Sequence, residues 1–160
     1  AALAAVRADL RAVGERLRTL MVDLEPPPSG QAGLVSALRA HVAELAARAG
    51  LGWRLHGELE REPDPGVRSI VWRVALEALT NARRHAGART LVVGIGARDG
   101  GIELTVQDDG RGFAPPPGGR TPGHRGLELM RERVRLAHGT LDVTSRPGAG
   151  TLVRAWVPEA

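Results

Sequence analysis

The chain has 160 residues, 42% of them hydrophobic and 25% charged, enough to bury the core of one domain with a short appendage. It holds no Cys, which excludes a disulfide framework, a thiolate zinc site and a cysteine nucleophile. All 22 basic residues are Arg, so a P-loop with its phosphate-binding Lys is excluded too.

The absence of Lys, Tyr and Cys pushes the pI to about 11.2 although the net charge is only +4. The three Trp and one Phe do not interleave with the Arg residues as a stacking platform would require, so no nucleic-acid partner is expected. No apolar run approaches the roughly 18–20 residues that cross a bilayer, and no direct membrane contact is expected. The chain opens without Met or a leader and is expected to be part of something longer.

Leu3, Val6, Leu10, Val13, Leu17, Leu20 and Leu24 alternate three and four apart, a heptad seam that stops at Pro26-Pro27-Pro28-Ser29-Gly30. Residues 1–25 are therefore expected to be one helix of a bundle, and 26–32 a linker. A second helix is predicted from Gly33 to Arg48, with Leu34, Leu38, Val42 and Leu45 on one face. Trp53 to His56 reads as a short strand, Glu58 to Pro65 as an exposed acidic turn, and Val67 to His85 as a long helix ending at Ala86-Gly87. Thr90 to Ala97 and Ile102 to Asp108 alternate around Asp99-Gly100-Gly101 and predict a hairpin. Gly110 to Gly123 is a Gly- and Pro-rich loop. A helix from Leu127 to His138 and strands at Thr140 to Ser145 and Thr151 to Val157 complete the chain. The expected fold is α+β: three helices on a mostly antiparallel mixed sheet, a two-layer sandwich over 33–160 preceded by one bundle helix.

Four features carry chemistry. Glu77, Asn81 and His85 are spaced i, i+4, i+8 and should share one helix face. The Asn81 amide oxygen can ligate magnesium, Glu77 can hold a metal-bound water, and His85 can donate to phosphate. Asp108-Asp109-Gly110-Arg111-Gly112-Phe113 puts a carboxylate at a sheet end, where it can accept from an adenine amino group beside flexible glycines. Gly126-Leu127 opens a helix whose first amides suit phosphate, and His124, Arg125 and Arg131 can add positive charge. Pro147-Gly148-Ala149-Gly150-Thr151 is a tight turn between the last two strands. Each has an ordinary structural explanation alone; their order and spacing decide.

The set resembles the nucleotide site of the GHKL ATPase superfamily, the Bergerat fold of gyrase, a heat-shock chaperone, a mismatch-repair ATPase and the histidine kinases. Glu77 to His85 looks like the N box, and Asp108-x-Gly110-x-Gly112 like the first glycine box. Gly126-Leu127 with Met130-Arg131-Glu132-Arg133 looks like the second, and Gly148-Ala149-Gly150-Thr151 like the last. The wording is closest to the branch that holds the nitrate sensors and the DesK-like thermosensors. One departure is that two residues separate Gly123 from Gly126, where many relatives have Gly-x-Gly-Leu.

The resemblance implies ATP and Mg2+ as cofactors, with Asp108, Gly110, Gly112, Asn81, His85, Gly126, Leu127 and Thr151 binding the nucleotide. Asn81 and Glu77 would hold the metal, Glu77, Asn81 and His85 would be catalytic, and the loop from Ala114 to Gly123 would close as a lid. It implies the catalytic core of a two-component sensor histidine kinase, transferring the γ-phosphoryl group to a histidine on the dimerisation domain. The partners would be that domain, a second subunit and a response regulator of helix-turn-helix output type, in the cytoplasmic portion of a membrane-anchored bacterial sensor. None of His41, His56, His85, His124 and His138 has the context of the acceptor, so this chain is expected to bind ATP without phosphorylating itself. The alternatives are an anti-sigma serine kinase of the same superfamily, against which the heptad segment and Met-Arg-Glu-Arg argue, and a degenerate module that only binds a nucleotide or partner.

Overall fold

A computed structural model describes residues 33–114 and 125–159, together with Gly14, but not the side chains of His85 and Arg125. The heptad segment, the linker, most of the Gly/Pro-rich loop, Gly123 and His124 lie outside the described residues. In chain order the elements are α1 (Gly33–Ala49), β1 (Gly52–His56), α2 (Pro65–Asn81), a π-helical turn (Ala82–Ala86), β2 (Thr90–Arg98) and β3 (Gly101–Asp108). Then come α3 (Arg125–Leu136), β4 (Thr140–Ser145) and β5 (Thr151–Pro158).

The strands form one five-stranded sheet in the order β1-β2-β3-β5-β4. β1 runs parallel to β2 and the other pairs are antiparallel, so the sheet is the mostly antiparallel mixed one expected from the sequence. The parallel pair exists because the whole of α2 lies between its two strands, a crossover that a tight hairpin turn cannot supply. Alternation sorts the faces. Leu91, Val93, Ile102, Leu104, Val106, Val153, Ala155 and Val157 are buried, whereas Arg54, Gln107, Asp142 and Arg154 face away from the core and are exposed. The helices cover the buried face: α2 packs on β3 and β5, α3 on β4 and β5, and α1 on α2 and β1.

Each helix buries the stripe its spacing dictates. Leu34, Leu38, Val42 and Ala46 are buried in α1. Ala46 takes the fourth position that the sequence suggested for Leu45, which is only half-buried, because i+4 from Val42 keeps closer to the contact line. In α2, Val71, Val74, Ala75, Ala78 and Leu79 are buried, and Pro65 occupies its first turn, where a missing N–H costs nothing. In α3, Leu127, Met130 and Val134 are buried, with Glu128 in the first turn and Arg133 and Arg135 in the last, the polarity that suits the helix dipole.

The acidic turn between β1 and α2 does more than face solvent. Both Glu62 carboxylate oxygens lie 3.0 Å from the Leu34 amide, so a residue distant in sequence caps α1. A side chain at Gly33, whose φ is +72°, would collide with that carboxylate. Glu62→Ala is therefore expected to destabilise the domain by about 1 kcal/mol, the usual worth of a lost helix cap, with Glu62→Gln losing less because one acceptor oxygen survives. Urea unfolding followed by circular dichroism checks this.

Candidate functional site

A cavity of about 320 Å³ opens between α2, the first turn of α3 and the ends of β3 and β5. Ala78, Ala82, Val106, Leu127, Val153 and Phe113 give it apolar walls, while Asn81, Asp108, Arg111 and Thr151 supply polar groups. A concave, mostly apolar cavity with few polar groups is the usual form of a small-molecule site.

The floor follows from strand register. Asp108 ends β3 directly opposite Thr151, which begins β5. The side chain continues the alternation of Ile102, Leu104 and Val106 and so points inward, with 7% of the residue exposed. Burial raises its pKa above the ordinary value of 3.8, against the hydrogen bonds donated by the Gly110 and Thr151 amides. The Gly110 amide lies 2.9 Å from Asp108 Oδ1. The neighbouring Asp109 has the opposite character: it is exposed, and the amides of Thr90 and Arg89, at 2.9 and 2.7 Å, hold its carboxyl below the ordinary value.

Two glycine turns meet behind the floor, backbone against backbone. Gly112 has φ +57°, and a Cβ there would strike the carbonyls of Arg146 and Gly150. Gly150 has φ +73°, and its Cβ would strike the carbonyl of Asp108. The Gly148 amide donates to Arg111 O at 2.7 Å. Ser145, 6% exposed, ties the same turns together. Its Oγ accepts from the Phe113 amide at 2.9 Å, donates to Gly150 O at 3.0 Å and lies 3.0 Å from Thr151 Oγ1.

The long helix departs from its expectation. It was predicted to run as one α-helix to His85, but it is α-helical only to Asn81 and continues as a π-helical turn over Ala82–Ala86, closed by Gly87 at φ +58°. The Ala86 carbonyl at its end accepts from the Arg111 amide at 2.7 Å, and Gly110 lies so close to Ala86 that a Cβ has no room. The widened turn ends against the first glycine turn. His85 thus sits on a wider turn than the i, i+4, i+8 rule assumes.

Of the residues singled out from the sequence, Asn81, Asp108, Gly112, Gly126, Leu127 and Thr151 line the cavity. Gly110 stands just behind it, turned against Ala86. Glu77 does not line it; its half-buried carboxylate lies against Gly126, where a Cβ would collide with it and stand 3.4 Å from Asn81 Nδ2. The start of α3 is therefore seated on the Glu77–Asn81 row. Among the described residues no three His, Cys, Asp or Glu side chains converge as a metal cluster. The donors present, one amide oxygen and one carboxylate, fit a hard cation that completes its shell with phosphate oxygens. Sequence reasoning missed Ser145, and it quoted Asp109, Arg111 and Phe113 within the first glycine turn without giving them a role. A Ser two residues before a Pro-Gly turn carries no signal of its own, while Asp before Gly at least marks a turn that its side chain can brace.

Residues 48–160 match the family described as histidine kinase-, DNA gyrase B- and HSP90-like ATPase. The nitrate/nitrite sensor protein NarX of Escherichia coli is 32% identical over 159 residues, 98% of this chain and 26% of that protein. The sensor histidine kinase NarS of Mycobacterium tuberculosis is 35% identical over 153 residues, 94% of this chain and 35% of that protein. The chain thus spans about a quarter to a third of these curated relatives. Among solved structures, the histidine kinase domain of the Erythrobacter litoralis blue-light activated kinase EL346 superposes with a TM-score of 0.63 at 24% identity, over 83% of this chain and 66% of that one. The catalytic domain of histidine kinase ThkA superposes at 0.58 and 16% identity, over 79% of this chain and 91% of that one. Among the described residues no helix is long and apolar enough to cross a membrane. The matched residues hold the α2 row, both glycine turns and the start of α3, and the chain belongs to the histidine kinase-, DNA gyrase B- and HSP90-like ATPase family.

Proposed function

We propose that residues 33–160 are the Mg-ATP-binding catalytic unit of a two-component sensor histidine kinase, and that residues 1–25 are the second helix of its dimerisation bundle, joined by the linker 26–32. The observation that carries this is the convergence of Asp108, Thr151, Asn81 and Gly126 on one apolar slot. The slot suits a purine, and the rim formed by α2 and the start of α3 suits a phosphate chain. The sensor-kinase relatives favour a kinase over the other chemistries of the family.

In this reading Asp108 accepts from the amino group of adenine, and Gly110 and Gly112 let the backbone approach the base. Leu127 and the α3 amides from Gly126 onward take phosphate oxygens at the positive end of the helix. The Asn81 amide oxygen holds a magnesium ion, Glu77 holds its water or orients the attacking imidazole, and His85 supports the phosphates. The metal, once bound, neutralises phosphate charge; the protein contributes positioning. The γ-phosphorus exchanges its bond to the bridging oxygen for one to an imidazole nitrogen on the dimerisation domain of the same or a second subunit, and ADP leaves. A response regulator of helix-turn-helix output type then receives the phosphoryl group. The whole protein is a membrane-anchored sensor with this part in the cytoplasm.

Calorimetric titration is expected to show ATP binding that strengthens with magnesium and weakens about tenfold or more in Asn81→Ala, which removes the amide oxygen, the scale of a lost ligand or of a lost hydrogen bond to a charged group. No binding with or without magnesium would sink the nucleotide reading. Incubation with γ-labelled ATP is expected to leave the isolated chain unlabelled; label on any of its five His residues contradicts the missing acceptor.

Acidification gives a further check. Because burial raises the Asp108 pKa, the carboxylate takes up its proton at a higher pH than an exposed aspartate. Adenine binding is then lost as pH falls through that raised value. For stability the sign is opposite: the cost of keeping the buried carboxylate charged is present above its folded pKa and relieved as pH falls towards the ordinary 3.8. Titrating adenosine, which carries no phosphate to protonate, is expected to show this fall-off in the wild type and lose it in Asp108→Asn.

A further inference from the structure

Two buried side-chain donors lack a hydrogen-bond partner among the described residues, Trp72 Nε1 and Arg68 Nε. Their spacing of i, i+4 puts both on one face of α2. Trp72 is 5% exposed, and its ring meets His41 of α1 edge to face at 5.6 Å. Buried N–H groups nearly always find an acceptor, and an unmet one carries the full cost of its lost hydration. The acceptor therefore lies outside the described residues, in the chain or as a water.

The two helices show which part of the chain can reach these donors. Glu62, just before α2, caps α1 at Leu34, and His41 meets Trp72 about two turns further along both helices. α1 and α2 thus start side by side and run in the same direction. Arg68, in the first turn of α2, lies beside the start of α1, where residues 26–32 enter. The Gly/Pro-rich loop is tied at both ends, by Phe113 and Gly126, to the cavity. Asn81, on that cavity, lies roughly 20 Å along α2 from Arg68 at 1.5 Å per residue.

The residues before α1 have the chemistry these donors need. Gly33 has φ +72°, so the chain turns as it enters α1, and Ser29-Gly30 favours a reversal. Folded back from there, Pro26-Pro27-Pro28 rises about 3.1 Å per residue in its extended helix and spans the roughly 6 Å step from Arg68 to Trp72. Proline brings no N–H of its own to leave unmet. Its extended helix makes no internal hydrogen bonds, so the carbonyls stay available, and proline-rich segments dock in aromatic-lined grooves.

We propose that Pro26-Pro27-Pro28 lies back along the seam between α1 and α2 and supplies main-chain carbonyls to the Trp72 and Arg68 donors. The linker is then clamped to the helix that carries Glu77 and Asn81, and movement of residues 1–25 is passed to that helix. This inference rests on the reading of 26–32 as a linker and is independent of nucleotide binding.

The test follows the indole N–H groups of the 160-residue chain by NMR and hydrogen exchange, without nucleotide. Trp53→Phe and Trp156→Phe assign the three signals. Trp156 Nε1 donates to Arg98 O at 2.8 Å on the sheet face away from the helices and serves as internal reference. Pro26→Gly, Pro27→Gly and Pro28→Gly together free the segment. They are expected to shift the Trp72 indole proton upfield and speed its exchange about tenfold, the worth of one hydrogen bond, while Trp156 stays unmoved. An unchanged Trp72 signal means that its acceptor is a water or absent and overturns the proposal, as does a change shared equally by Trp156. Deleting Ala160, which follows Glu159 near the start of α2, is expected to leave Trp72 as it was; if it reproduces the linker effect, the C-terminus is the acceptor and the proposal falls. In urea unfolding, Trp72→Phe keeps a ring and removes the donor, so it is expected to destabilise the wild-type chain more than the triple-glycine chain. Equal destabilisation in both backgrounds overturns the clamp. Should Trp72→Phe lose its cooperative melt, indole exchange in the triple-glycine chain decides alone.

Discussion

The site depends on two turns that touch through their main chains. Gly112 and Gly150 each adopt a left-handed conformation, and a Cβ on either would strike main-chain carbonyls of the facing segment. Contact at this range is open only to glycine, which lacks the Cβ and tolerates positive φ. Strand register sets Asp108 opposite Thr151, and with the turns held this close Phe113 reaches Ser145 and Arg111 spans from Ala86 to Gly148.

Two adjacent aspartates show how the same residue is turned to different ends by where the chain places it. Asp108 points into the core side of the sheet, and desolvation keeps its carboxyl reluctant to ionise. Asp109, one residue on, points to the rim, and two strand amides make ionisation easy. The first is positioned to receive donors from a bound molecule, and the second braces the start of β2 against the glycine turn. Strand alternation turns Asp108 inward, and Asp109 lies just past the strand end, where the chain enters the glycine turn.

Much of this was legible in the residue order. Period-two and period-3.6 patterns give the strands and helices because burial on one face is what the sheet and helix layers require. The motif spacing points to the helix, strand ends and glycine turns that border the cavity. What stayed hidden depends on tertiary partners. The π-helical turn ends on the Ala86 carbonyl that accepts from the Arg111 amide, and nothing in Ala-Arg-Arg-His-Ala announces it. Glu62 reads as one more charge in an acidic turn until α1 arrives to be capped. Ser145 reads as the polar end of a strand, and its role emerges only from three partners on two other segments. Leu45 and Ala46 differ by a rotation that periodicity alone does not resolve.

The sheet order bears on how the domain assembles. β2 with β3, and β4 with β5, are neighbours along the chain and form hairpins at small entropic cost. The pairing of β3 with β5 joins the two hairpins across the whole stretch that contains the Gly/Pro-rich loop and α3, and contacts of that separation are the slow ones. Asp108 and Thr151 lie on opposite sides of this seam and become neighbours only when it closes. A molecule that grips both would stabilise the seam without adding to either hairpin, so occupancy would chiefly slow the parting of the two halves. The domain would then be at its most cooperative when its site is filled, and most open to local separation when it is empty.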